Sequence, residues 1–186
     1  MKSILNLIKI LAMKSLNFFF LFVVLVLFSC QKSDTPEEVN GMQPLYITKS
    51  VFNEVKSSTA KPFSKVGKIY KYGNIIFISD QGTGVHVINN SNPSAPTKEA
   101  FISIYGTSDM AVKNNTMYAD NGSNLLAIDI SEINNVAVSS KIEDVYENNI
   151  QLFPPGHIGY FECVDASKGY VYDWQSIKLK NPECQR

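Results

Sequence analysis

The stretch ISDQGTGVHVINNSNPSAP, Ile78 to Pro96, returns 40 residues later as YADNGSNLLAIDISEINNV, Tyr118 to Val136. At that offset Asp80 falls on Asp120, Gly82 on Gly122, Thr83 on Ser123 and Val85 on Leu125. Ile88 likewise falls on Ile128, Asn89 on Asp129 and Ser91 on Ser131. The shared pattern is an apolar run, an Asp-x-Gly turn, a second apolar run ending in Ile-Asn or Ile-Asp, and a serine-bearing turn. A looser third copy lies in YFECVDASKGYVYDW, Tyr160 to Trp174, where Gly169 precedes Tyr170 to Asp173 much as Gly84 precedes Val85 to Asn89.

Around the repeat the apolar residues alternate. Ile75, Phe77 and Ser79 interleave with Ile76 and Ile78, and Ala100, Ile102 and Ile104 with Phe101 and Ser103. Short β-branched and aromatic runs separated by DQGTG, NNSNPSAP and DNGSN predict strands joined by turns. An apolar helical period is missing over most of the chain. The exception is KSVFNEVKSS, Lys49 to Ser58, where Val51, Phe52 and Val55 predict one face of a short helix.

Four strands of five or six residues with their turns use up about 40 residues, the length of one β-propeller blade. In the second copy this predicts an innermost strand from about Asp109 to Val112, then Thr116 to Ala119 and Leu125 to Ile130, with Val136 to Glu143 outermost. The fold class predicted is all-β, a partial β-propeller or an open stack of about three four-stranded blade-like sheets. Roughly 110 residues of repeat region hold fewer than three blades, whereas closed propellers take four to eight. In each turn the aspartate, Asp80 or Asp120, is expected to accept N–H bonds from the residues that follow, with Gly82 or Gly122 supplying a positive φ. The alternative is a loop site for a cation or ligand, for which one aspartate per copy offers few oxygen donors.

Upstream, Lys2, Lys9 and Lys14 lead into LNFFFLFVVLVLF, Leu16 to Phe28, an apolar run too short for a membrane-spanning helix and suited to a secretory signal core. LFSC, Leu27 to Cys30, then resembles the lipobox of bacterial lipoproteins, with Phe28 departing from the usual small or branched residue and the Ser-Cys ending common in the Bacteroidetes type. That resemblance implies a lipoprotein signal peptide over 1–29, lipidation at Cys30 and attachment to the membrane through the N-terminal lipid. The alternative is a free Cys30 thiol beside an uncleaved anchor. Residues 30–44, polar and acidic, read as a flexible tether, and 45–186 as the β-repeat domain. Acidic residues after the cysteine also resemble the signal that exports some lipoproteins to the outer face of the outer membrane. Cleavage before Cys30 leaves 14 basic and 17 acidic side chains, so the balance gives no reason to expect a nucleic-acid partner.

Cys163 and Cys184 remain as an even pair in a chain that leaves the cytosol, and are expected to form a disulfide. Two unpaired thiols are the alternative. Two cysteines and distant histidines lack metal-ligand spacing, and no cofactor motif is present. His86 is expected to face solvent or a neighbouring blade, and His157 to be a turn residue. No nucleophile or zinc-protease motif occurs, so no catalytic residue is assigned.

The strands VHVIN, Val85 to Asn89, and LLAID, Leu125 to Asp129, followed by SNPSAP and SEINNV, resemble the LVIVD repeat of bacterial secreted and surface proteins. The resemblance covers roughly Pro44 to Arg186. It implies a β-propeller and an outer-membrane lipoprotein setting, with no agreed activity and no catalytic residues to transfer. The function expected is a non-catalytic binding or interaction module on the cell envelope, with an envelope protein or a glycan as partner. The alternatives are a glycan-active hydrolase, which needs two carboxyl groups about 5 to 9.5 Å apart, and a structural or truncated propeller fragment.

Overall fold

In a computed structural model of the chain, residues 36–146 and 150–186 are described. The expected signal peptide, the expected lipidation site Cys30 and the first part of the expected tether lie outside the described residues. Residues 36–186 form one compact unit of three open sheets, none closed into a barrel.

The first sheet is an antiparallel meander of β3 (Val66–Tyr72), β4 (Ile75–Asp80), β5 (Gly84–Asn89) and β6 (Thr97–Ser103), extended beyond β6 by β2 (Lys56–Thr59). The second is the expected four-stranded unit, with β7 (Met110–Lys113), β8 (Thr116–Asn121), β9 (Asn124–Asp129) and β10 (Ala137–Ile142) in sequence order. One core joins them. Phe77, Val85, Val87, Ala100 and Ile102 from the first sheet meet Met110, Val112, Met117, Leu126 and Ile128 from the second. The opposite face of each sheet points away from this core.

The third sheet departs from the sequence reading. Its order is β12-β1-β11-β13, with β1 (Glu38–Ile47), β11 (Tyr160–Phe161), β12 (Tyr170–Lys180) and β13 (Cys184–Gln185). The proposed third copy is therefore not a hairpin, because β1 lies between β11 and β12. β1 runs antiparallel to β12 over ten pairs and parallel to β11 at Met42 and Phe161. The expected tether boundary at residue 44 is corrected too, since Glu38 to Pro44 are strand. Pro44 fits there because β11 has already ended, so β1 has only β12 beside it.

The predicted helix over Lys49 to Ser58 shortens to α1 (Lys49–Phe52), and β2 begins at Lys56. Pairing with Ala100 to Ser103 outweighs a weak local helical pattern. Phe52 is buried, packs its ring 5.1 Å from that of Tyr170, and lies near Gly106 and Gly122. It wedges the third sheet against the others. Asn121 fixes the wedge by donating from Nδ2 to the carbonyls of Phe52 and Tyr105, at 3.2 and 2.6 Å. Cys163 and Cys184 form a disulfide with Cα atoms 5.3 Å apart, which ties β13 to the end of β11.

Candidate functional site

The repeated aspartates do structural work different from the one predicted. Asp80 accepts from the N–H groups of Ser64 and Lys65 at 3.0 and 2.6 Å. Asp120 accepts from the N–H groups of Ser108 and Asp109 at 2.7 and 2.9 Å, and from the hydroxyls of Thr107 and Ser108 at 2.9 and 2.5 Å. Each carboxylate thus holds the segment that enters the first strand of its own sheet, rather than the turn that follows it. The reason is strand register: β4 ends beside the start of β3, and β8 beside the start of β7. Spacing within the turn gives no sign of this reach.

Across the turns the two copies slip by one residue. Asp80 stands opposite Gly84, whereas Asp120 stands opposite Leu125. A single residue of slip exchanges the faces of a strand. Val85 is accordingly buried in the core, while Leu125 lines a cleft on the far side of the second sheet. Gly82 and Gly122 adopt φ of 81° and 64°. Their turns meet through Gly106, which donates to the Gly82 carbonyl at 2.9 Å and accepts from the Gly122 N–H at 3.1 Å.

His86 corrects another expectation. It is buried, with Nε2 3.0 Å from Asp80 Oδ2. Its ring meets Phe63 and Phe101 edge-on at centroid distances of 4.5 and 4.8 Å. The segment Lys61 to Lys65 crosses the outer face of the first sheet as a strap, which is why a histidine alternating with core valines is still sealed from water. Nδ1 has no partner. Burial by itself would raise the Asp80 carboxyl, but the Lys65 N–H, the His86 ring and the Ser64 N–H together hold it below the usual carboxylate value. His157, at the other histidine position, sits in a turn with Nε2 3.2 Å from the Tyr160 carbonyl.

The cleft is about 660 Å³ and draws on all three sheets. Lys65, Lys68 and Gly82 come from the first, Tyr118, Asp120 and Leu125 from the second, and Met42, Asp173 and Trp174 from the third. Tyr146, Ile150 and Pro154 close one side. Tyr118 and Tyr146 are exposed, at 43% and 42%. The carboxylates are all engaged: Asp109 with Lys68 at 2.6 Å, Asp173 with Lys65 at 2.9 Å, and Asp120 with the four donors already named. Burial, then repulsion from Asp120 and Asp109, pushes the Tyr146 phenol above its ordinary value. Burial, then Asp173 and Tyr105, does the same to Tyr172, close by.

Among the described residues no group of three or more His, Cys, Asp or Glu side chains could hold a metal ion. No helix among them is long and apolar enough to cross a membrane. The repeat reading pointed to Asp80, Gly82, Asp120 and Gly122, of which Gly82, Asp120 and Gly122 line the cleft. It gave no sign of Tyr146, Asp109 or Asp173, which come from the segment after β10, the entry to β7 and β12. Tyr118 is among the tyrosines that, with Trp174, the sequence offers as a carbohydrate or peptide surface, with packing between sheets as the alternative. Comparison with protein-family models, curated proteins and solved structures gives no match.

Proposed function

We propose that the chain is a non-catalytic binding module of the cell envelope, anchored by a lipid on Cys30, that takes its ligand in the cleft between the three sheets. The observation that carries this reading is the pairing of exposed aromatic rings with polar groups in one concave site. Tyr118 and Tyr146 offer flat apolar faces, while phenolic hydroxyls and the Asp109–Lys68 and Asp173–Lys65 pairs offer donors and acceptors beside them. A ligand with alternating apolar and hydroxyl-bearing surface, such as a neutral glycan, fits that lining.

A hydrolase would need one carboxyl free to carry a proton and another free to attack or to activate water. The engagement of Asp109, Asp120 and Asp173 by cations and N–H or O–H donors argues for binding instead. The test is to pass the full chain over immobilised neutral oligosaccharides and compare it with Tyr118→Ala and Tyr146→Ala. Capture that falls at least about tenfold in either variant, roughly the loss of one stacking contact, supports the reading. Capture unaffected by both substitutions, or release of shortened sugars, overturns it. The anchor is tested separately, since Cys30→Ala should abolish lipid labelling while leaving capture intact.

A further inference from the structure

The outer face of the first sheet carries its own pattern, separate from the cleft. Register places Val66, Ile69, Lys71, Ile76, Ile78 and His86 on the side of the sheet away from the core. The strap lies over part of this face and leaves the rest open. Phe63, Val66 and Ile69 are exposed at 42%, 51% and 63%. Isolated apolar residues on a surface need no explanation, but Val66 and Ile69 share the outer face of β3, and Phe63 joins them from the strap over His86.

The cations on this face are arranged differently from those at the cleft. Residues 61–72, KPFSKVGKIYKY, contain four lysines and no acidic residue. Lys65 and Lys68 turn into the cleft and pair with Asp173 and Asp109. Lys61 and, from β6, Lys98 stay on the outer face. The Lys98 ammonium stands 3.8 Å from the Phe63 ring centroid, and Lys61 stands 4.4 Å from that of Phe101. With His86 between the two rings, they form a continuous pile of lysine, phenylalanine, histidine, phenylalanine and lysine. Lys98 also donates to the Lys61 carbonyl at 3.2 Å, which fixes the strap. Among the described residues Lys61, Lys71 and Lys98 form no ion pair with a carboxylate.

We infer that the outer face of the first sheet docks on an anionic lipid surface, with Phe63, Val66 and Ile69 entering the headgroup boundary and Lys61, Lys71 and Lys98 meeting lipid phosphates. The warrant is charge and shape together. Exposed apolar groups flanked by cations that have no carboxylate partner are the interfacial pattern, in which apolar burial and attraction to anionic headgroups add. A ring-held ammonium keeps its charge available, because the ring face attracts it without neutralising it. The inference does not depend on the cleft or its ligand, so failure of either leaves the other standing.

The test uses the full chain carrying Ile69→Trp, reconstituted into vesicles of phosphatidylcholine alone or mixed with phosphatidylglycerol, each with brominated acyl chains as quencher. The native Trp174 is buried in the third sheet and serves as the baseline in the parent chain. In anionic vesicles the new tryptophan should shift to the blue and be quenched, and high salt should reverse both. Lys61→Glu, Lys71→Glu and Lys98→Glu together remove contacts that each change surface partitioning about fivefold, so quenching should fall to the parent level. Lys71→Glu alone leaves the strap untouched and should give an intermediate loss, which separates docking from misfolding. Quenching equal in both vesicle types, or unchanged by Lys71→Glu and by the triple variant, overturns the inference. A blue shift that grows with protein density and ignores anionic lipid overturns it as well, and assigns the face to a second copy of the chain.

Discussion

His86 Nε2 lies 3.0 Å from Asp80 Oδ2 with both side chains sealed from solvent, although the two residues stand on adjacent strands six positions apart in sequence. A carboxylate can only accept, so Nε2 is the donor in this pair, and Nδ1 is left without a hydrogen-bond partner. The strap, the turn and the sheet are joined at this one carboxylate, through the Ser64 and Lys65 N–H groups on one side and the imidazole on the other.

A pH dependence with a definite sign follows from this pair. The folded-state value of Asp80 lies below its unfolded value of about 3.9. Its contribution is therefore complete above about pH 4 and is lost as pH falls through the lower, folded value. Denaturant unfolding of the wild type should show a decline below about pH 4 that is shallower in Asp80→Asn, and the two curves should converge in acid. Asp129 and Asp165, lowered by hydrogen bonds from Ser131 and Ser167, keep their effects in both proteins and so cancel in the difference. Parallel curves down to the lowest pH would show that the Asp80 charge contributes nothing.

The two repeat aspartates should not be equivalent. Asp80→Ala leaves the buried His86 N–H and the part-buried Ser64 and Lys65 amides without their acceptor, at a cost of about 2 to 4 kcal/mol. In Asp120→Ala water can reach the exposed Ser108 and Asp109 groups while the buried Thr107 hydroxyl loses its acceptor, and about 1 to 2 kcal/mol is expected. Urea midpoints at unchanged slope would measure both. Equal losses would mean that the strap over His86 adds no burial that matters.

Reduction of the Cys163–Cys184 bridge reopens a loop of 21 residues and should destabilise the domain by roughly 3 kcal/mol in the chain-entropy estimate. β13 is only two residues long and pairs only with β11, so proteolysis should remove the C-terminal tail first in Cys184→Ser. A tail as resistant as that of the wild type would show that β13 holds without the bridge.

What could be read ahead of the structure was local. Alternation and the Asp-x-Gly turns placed β4, β5, β8 and β9, because a meander needs only neighbouring segments to pair. The third sheet was hidden because β1 pairs with a strand more than 120 residues away, and EVNGMQP has the composition of a tether. His86 looked solvent-facing because alternation tells which residues share a face but not what lies over that face. Lys61 to Lys65 cover it, and a short polar run containing one phenylalanine carries no signal for that. The cleft as a whole was hidden for a similar reason: its lysines, aspartates and tyrosines come from three sheets and the segment after β10, and only the first two sheets are linked by a repeat.

The paired glycines offer the sharpest comparison of the two copies. Both have positive φ, so any side chain is strained at either position. Their surroundings differ. A Cβ on Gly82 would stand 2.9 Å from the Asp173 Cβ and 3.0 Å from the Tyr172 carbonyl oxygen, both fixed by β12. A Cβ on Gly122 would stand 3.2 Å from the Phe52 ring edge and 3.5 Å from the Ile150 side chain, a tight fit that asks for a smaller displacement than the overlap at Gly82. Gly82→Ala should therefore exceed Gly122→Ala in cost, with about 1 kcal/mol from backbone strain common to both and about 1 to 3 kcal/mol more at Gly82 from the clash. Gly82→Ala should also disturb the cleft, because pushing β12 away moves Asp173 from Lys65 and shifts Trp174, whose emission would report it. Gly122→Ala should alter that emission less, because there Trp174 is reached only through Ile150, whose carbonyl accepts its indole N–H at 3.0 Å and whose side chain is in ordinary contact with the new Cβ at 3.5 Å. If the two variants lose equal stability and neither alters tryptophan fluorescence, the Gly82 turn is not what seats the third sheet.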